Sequence, residues 1–97
     1  MSSLSIDIWV DDDETSLVLI GELDLATVGQ FLEAMESATD HGKVAVVVDA
    51  RGLTFCDSVG LRGLMSAPSR GPLALRPSDA LERLLKMTQT EAAFHII

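Results

Sequence analysis

Ninety-seven residues, 47% of them hydrophobic, suit one compact domain with a single core. The longest apolar runs, Leu17–Ile20 and Val44–Val48, are far too short to cross a bilayer, so membrane insertion is excluded as a working expectation. The net charge of −8 is uneven: eleven acids stand against one Lys in residues 1–50, and four against six Lys/Arg afterwards. With no basic stripe and no aromatic stacking platform, it argues for a protein partner and against nucleic acid.

Leu4, Ile6, Ile8 and Val10 alternate with Ser5, Asp7 and Trp9, the period of a half-buried strand. Asp11-Asp12-Asp13-Glu14 reads as a charged turn, and Ser16–Leu23 as a second strand paired antiparallel with the first. From Val28 the period becomes helical, with Val28, Phe31, Leu32, Met35 and Ala38 on one face. Thr27 with Gln30 fits a capping box, Asp24 offers a cap one turn earlier, and Gly42 is the expected left-handed stop. Val44–Asp49 is apolar without alternation, the pattern of a strand covered on both faces. After a loop, Asp57-Ser58 opens a second helix that turns Leu61, Leu64 and Met65 inward and stops near Pro68. Leu73-Ala74-Leu75 is a short strand. Ser78 then caps a third helix, with Leu81, Leu84, Leu85 and Thr88 on its inner face. Phe94 and Ile96 form a last short strand or pack on the core. The fold class is therefore α/β, a small mixed β-sheet with about three helices in the order β-β-α-β-α-β-α. Residues 1–97 make a single domain.

The run from Val44 to Met65 carries the chemistry. It sets a small hydroxyl, Ser58, at the mouth of a helix, where backbone N–H groups point outward and negative charge is favoured. Such a serine is either a structural cap, a duty Asp57 beside it serves equally well, or the seat of a phosphate switch. Gly60, lacking a side chain in the first turn, would give a partner access to the backbone.

Val47-Val48-Asp49 through Phe55-Cys56-Asp57-Ser58-Val59-Gly60-Leu61 resembles the signature of STAS domains of the anti-sigma factor antagonist (anti-anti-sigma factor) family. Gly21-Glu22-Leu23-Asp24-Leu25-Ala26-Thr27 resembles the family's link between second strand and first helix, and Leu73–Ser78 with Leu84–Thr88 its final strand and helix. The likeness covers most of the chain in the right order. It implies a bacterial partner switch in which Ser58 is phosphorylated by an anti-sigma factor serine kinase. The unmodified antagonist holds that kinase and frees its sigma factor; the phosphorylated form lets go, and a serine phosphatase resets it. The resemblance also implies that Asp24 lies near Ser58 and that Asp24, Asp57, Val59, Gly60, Leu61 and Arg62 shape the partner-binding face. Between Gly63 and Leu73 the chain is shorter than is usual in the family. Other members are accessory subunits of lipid-transport ABC complexes or of stress-signalling assemblies, which leaves a phosphorylation-independent role as the alternative.

An enzyme is not expected. The glycine pattern of a nucleophile elbow is missing around Ser58, no histidine is placed as its base, and no phosphate-cradling glycine loop occurs. His41 and His95 have no partner at metal-ligand spacing, and Asp11–Glu14 lacks the ordered spacing of a calcium loop, so no metal or cofactor is expected. Cys56, the lone cysteine, cannot form an internal disulfide and reads as a small core residue. With no basic and apolar blocks of a signal peptide at the start, cytoplasmic residence is the expectation. Oligomeric state stays open.

Overall fold

Strand β1 (Leu4–Val10) turns back into β2 (Glu14–Leu23), and the two pair antiparallel from Leu4 opposite Gly21 to Val10 opposite Thr15. Their turn closes on Asp11, whose Oδ1 accepts from the amides of Asp13 (2.9 Å) and Glu14 (2.7 Å). A short acidic side chain suits that role because it mimics a backbone turn. The computed structural model describes residues 2–11, 13–39, 45–68 and 72–97. Helix α1 (Val28–Thr39) leads to β3 (Ala45–Cys56), α2 (Ser58–Ser66) to β4 (Leu73–Pro77), and α3 (Asp79–Thr88) to β5 (Phe94–Ile96) after one 3-10 turn over Glu91–Ala93. The sheet order is β1-β2-β3-β4-β5, with β2 to β5 mutually parallel. The mixed α/β architecture predicted from periodicity is present, extended by a fifth strand.

Because side chains alternate along a strand, one face of the sheet carries the core. Leu17, Leu19, Val48 and Leu75 point from it into the helical layer, where they meet Phe31, Met35, Leu64, Leu81 and Leu85 in one cluster. Phe31, Leu17, Leu19 and Leu75 have no exposed surface, and each contributes about 1.5–3 kcal/mol of hydrophobic free energy.

Four expectations are corrected. The apolar run Val44–Asp49 predicted a strand covered on both sides; the three helices pack on one face only, and the other keeps Trp9 and Ile20 exposed. That strand does not end at Asp49 either. β3 continues to Cys56 because the far half of β2 pairs with it, through two irregularities that each add one β3 residue. Met65 and Thr88 do not face inward: Met65 is half exposed, and the Thr88 hydroxyl donates to the Leu84 carbonyl of its own helix at 2.8 Å. The Thr27–Gln30 capping box does not form, since Gln30 Nε2 reaches away to the Leu4 carbonyl (2.8 Å) while the Asp24 carbonyl accepts from Thr27 and Val28. The expected stop at Gly42 lies outside the described residues. Ser78 caps α3 as predicted, accepting from the Leu81 amide.

Candidate functional site

Two chain reversals meet at the end of the β2–β3 pair. Leu23 lies opposite Cys56 in the parallel register, and the Asp57 amide extends the pairing by donating to the Leu23 carbonyl at 3.3 Å. The next residues of each strand, Asp24 and Asp57, therefore come together, and with Leu25 and Ala26 they line a shallow hollow.

Asp57 is the cap of α2. Its backbone is extended (φ −97°, ψ −175°), its Oδ1 accepts from the Gly60 amide at 2.8 Å, and its carbonyl accepts from Leu61 at 2.9 Å. Ser58 is left free of that duty: it is the first residue of the helix, with an exposed side chain. Arg62 and Met65, one and two turns on, are exposed as well, so Ser58, Arg62 and Met65 form an outward stripe.

Asp24 is only 9% exposed. The Ser2 hydroxyl donates to its Oδ2, and the Ala26 amide donates to its Oδ1 at 3.0 Å. Ser2 foremost, then the amides of Ala26 and Thr27 with the Thr27 hydroxyl, hold this carboxyl below its ordinary value against the opposing effect of burial. Thr27 knots the turn by accepting from the Asp24 amide (3.0 Å) and donating to the Glu22 carbonyl (2.8 Å). The segment carrying Ser2 can lie so close because Gly21 sits at φ +120°, and a Cβ there would fall 2.4 Å from the Ser3 carbonyl oxygen.

Behind the hollow lies the Cys56 thiol. Burial first, then the charges of Asp57 and Asp24, push it up to about 12, so it stays a neutral thiol near neutral pH.

Gly60 has a different use from the one its sequence position implied. It is buried, and a Cβ would sit 2.3 Å from the Leu23 carbonyl oxygen, so the missing side chain lets α2 lie against β2 and gives a partner no access. Leu61 is buried too (5% exposed), anchoring the helix from beneath. A Cβ on Gly63 would meet Val28 Cγ2 at 2.3 Å, the close approach between α2 and α1. Of the predicted partner-binding residues, Asp24 and Asp57 share the hollow, Arg62 is exposed and Val59 half-buried, while Gly60 and Leu61 act from inside.

Two residues escaped the sequence reading. Leu25 is 75% exposed beside the two carboxylates, and Ser2 holds Asp24. Strand alternation would have set Leu25 inward with Leu23, two residues before it, and β2 ends at Leu23, so nothing local marked either residue.

The family model described as Mlab, STAS domain, matches residues 8–93. The chain belongs to the STAS family. Among solved structures, this STAS domain is similar to an anti-sigma factor antagonist from Mycobacterium paratuberculosis, at 22% identity and a TM-score of 0.79 over 97% of this chain and 85% of that one. It is also similar to the anti-sigma factor antagonist SpoIIAA in its unphosphorylated form, at 22% identity and 0.62 over 98% and 88%. For the Bacillus cell fate determinant SpoIIAA in the phosphorylated form the values are 21% identity and 0.55 over 98% and 91%. Comparison with curated proteins finds no match. Among the described residues, no helix of the STAS domain is long and apolar enough to cross a membrane.

Proposed function

We propose that this STAS domain is an anti-sigma factor antagonist whose partner docks over the Asp24–Asp57 hollow and the outward stripe of α2, and that phosphorylation of Ser58 switches the docking off. The observation that carries this reading is the division of labour at α2: Asp57 caps the helix, which leaves the neighbouring Ser58 hydroxyl exposed beside the hollow. The similarity to anti-sigma factor antagonists, one of them solved in both unphosphorylated and phosphorylated forms, supports the same reading.

In the transfer, Ser58 Oγ attacks the γ-phosphorus of ATP held by the kinase. The bond to the β,γ-bridging oxygen breaks, ADP leaves, and the hydroxyl proton passes to a base of the kinase. The product adds roughly −1.5 to −2 charges next to Asp57. Within the first turn the Gly60 and Leu61 amides are already taken by Asp57, so the nearest amides for the new dianion are those of Ser58 and Val59. The helix can carry the phosphate without unfolding, while an acidic or closely packed partner surface is repelled by it.

Incubation with each co-encoded anti-sigma kinase and Mg-ATP, followed by mass spectrometric mapping, tests the proposal. Phosphate on Ser58 is the expected result, with Ser58→Asp weakening kinase binding and Ser58→Ala preserving it. Equal affinities for the two variants refute the charge mechanism. A phosphorylation-independent STAS subunit of a lipid-transport ABC complex is the second reading. The observation favouring it is the short α2, which ends at Ser66 and gives a kinase little helix to grip. Co-purification with a transporter ATPase in place of a soluble kinase would select it.

A further inference from the structure

The helix-free face of the sheet has its own pattern, independent of the docking hollow. Cross-strand partners share a face, so the register lays this surface out in rows. One row runs Trp9, Ser16, Val47, Ala74, His95; the next runs Asp7, Val18, Asp49, Arg76; a third runs Ser5, Ile20, Gly52. Trp9 is 67% and Ile20 52% exposed, and no described element covers them. Ile20 leans toward β3, its Cγ1 lying 2.9 Å from where a Gly52 Cβ would be. Charge divides across the same face. Asp49 in the centre is already satisfied by Arg51, with Nη2 to Oδ2 at 2.7 Å and Nε to Oδ1 at 2.9 Å. Asp7 on β1 and Arg76 on β4, the latter beside Asp49 across the β3–β4 pair, stand three strand spacings or about 14 Å apart, with opposite charge and no mutual contact.

We propose that this protein forms a two-fold homodimer through the uncovered face of its sheet, with Asp7 of each copy against Arg76 of the other. The two-fold axis runs parallel to the strands between β2 and β3. Rotation about it lays β1 over the second copy's β4 and β2 over its β3. Asp7 then meets Arg76 twice by symmetry, Trp9 lies over the small Ala74, and the two Ile20 side chains pack together near the axis. Charge complementarity selects a second copy: among the described residues neither Asp7 nor Arg76 makes an ion pair within 4 Å, and the two stand at positions that this operator interchanges, as an isologous contact requires. Sheets packed this way lie about 10 Å apart with strands roughly 30° from parallel. A molecule 34 × 29 × 19 Å in extent has a broad face of the size that supplies roughly 800 Å² per partner. The helical layer and the Ser58 hollow stay free, and both hollows open at the same end of the dimer.

Sedimentation equilibrium of the full chain from low to several hundred micromolar reads the association. A dimer is expected, weakened at least tenfold by Asp7→Arg or by Arg76→Asp and restored when the two are combined. Ile20→Glu, at an exposed position, is expected to weaken it comparably while leaving the circular dichroism spectrum unchanged. Carbodiimide treatment of the Arg76→Lys variant is expected to join Asp7 of one copy to the new amine of another, a bond that the distance within one chain forbids. A monomer throughout the range overturns the proposal. So does a dimer insensitive to Ile20→Glu, or one whose carbodiimide bonds omit Asp7.

Discussion

Gly60→Ala tests how the site is held. A Cβ built at Gly60 lies 2.3 Å from the Leu23 carbonyl oxygen, 2.9 Å from the carbonyl carbon and 3.0 Å from Cys56 Sγ. Ordinary contact begins near 3.4 Å, so α2 must withdraw by about 1 Å, and the first obstacle is backbone that cannot rotate away. Overpacking of this kind costs about 1–3 kcal/mol, against which a helical Gly→Ala exchange returns up to about 1 kcal/mol. A net loss of about 1–2 kcal/mol is expected in urea denaturation, or about 4–8 °C in Tm for each kcal/mol lost. Gly29, in the first turn of α1, is the internal control. A Cβ there meets nothing within 4 Å, so Gly29→Ala is expected to stabilise by up to about 1 kcal/mol. The displaced α2 also carries Ser58 with it, so kinase binding should weaken in Gly60→Ala and stay unchanged in Gly29→Ala. If both variants stabilise equally, the close seating of α2 on β2 is refuted.

Other outcomes follow from the same geometry. Asp57→Ala removes the α2 cap and should cost about 1 kcal/mol in thermal unfolding, whereas Ser58→Ala should change stability by less than about 0.5 kcal/mol. Hydrogen bonds from the Arg51 guanidinium hold Asp49 below the ordinary carboxylate range. A lowered folded-state value contributes stability that is complete above the unfolded value of about 3.9 and fades as pH falls toward the folded value. Urea midpoints should therefore drop as the pH is lowered below about 5, with Asp49→Asn flattening that fall. With its thiol pushed up to about 12, Cys56 should react with iodoacetamide at pH 8 far more slowly in the native protein than in urea. Gln89 holds the left-handed stop of α3 at φ 57°, so Gln89→Gly should raise stability by about 1 kcal/mol in the same melts.

Much of this molecule is legible in its residues one element at a time. Alternation in Leu4–Val10, the helical spacing from Val28 to Ala38 and the Ser78 cap depend on neighbours within a turn or two of chain, so local chemistry determines them. The strand-to-helix passage at Cys56-Asp57-Ser58 was visible for the same reason. What the residues left open depended on distant partners. Whether Asp57 or Ser58 caps α2 was decided when the Asp57 amide bonded to Leu23, thirty-four residues away, and turned its carboxylate to Gly60. The second half of β3 could not be read as strand, because Gly52, Leu53, Phe55 and Cys56 become extended only by pairing with β2. Apolar Val44–Val48 pointed to helices on both faces, but two neighbouring strands bury Val47 in mid-sheet without any helix above it. Hydrophobic periodicity records that a residue is buried and is silent about what buries it. Only the assembled sheet could bring Asp24 and Asp57 together, hold Asp24 from Ser2, and leave one face with no helix over it among the described residues.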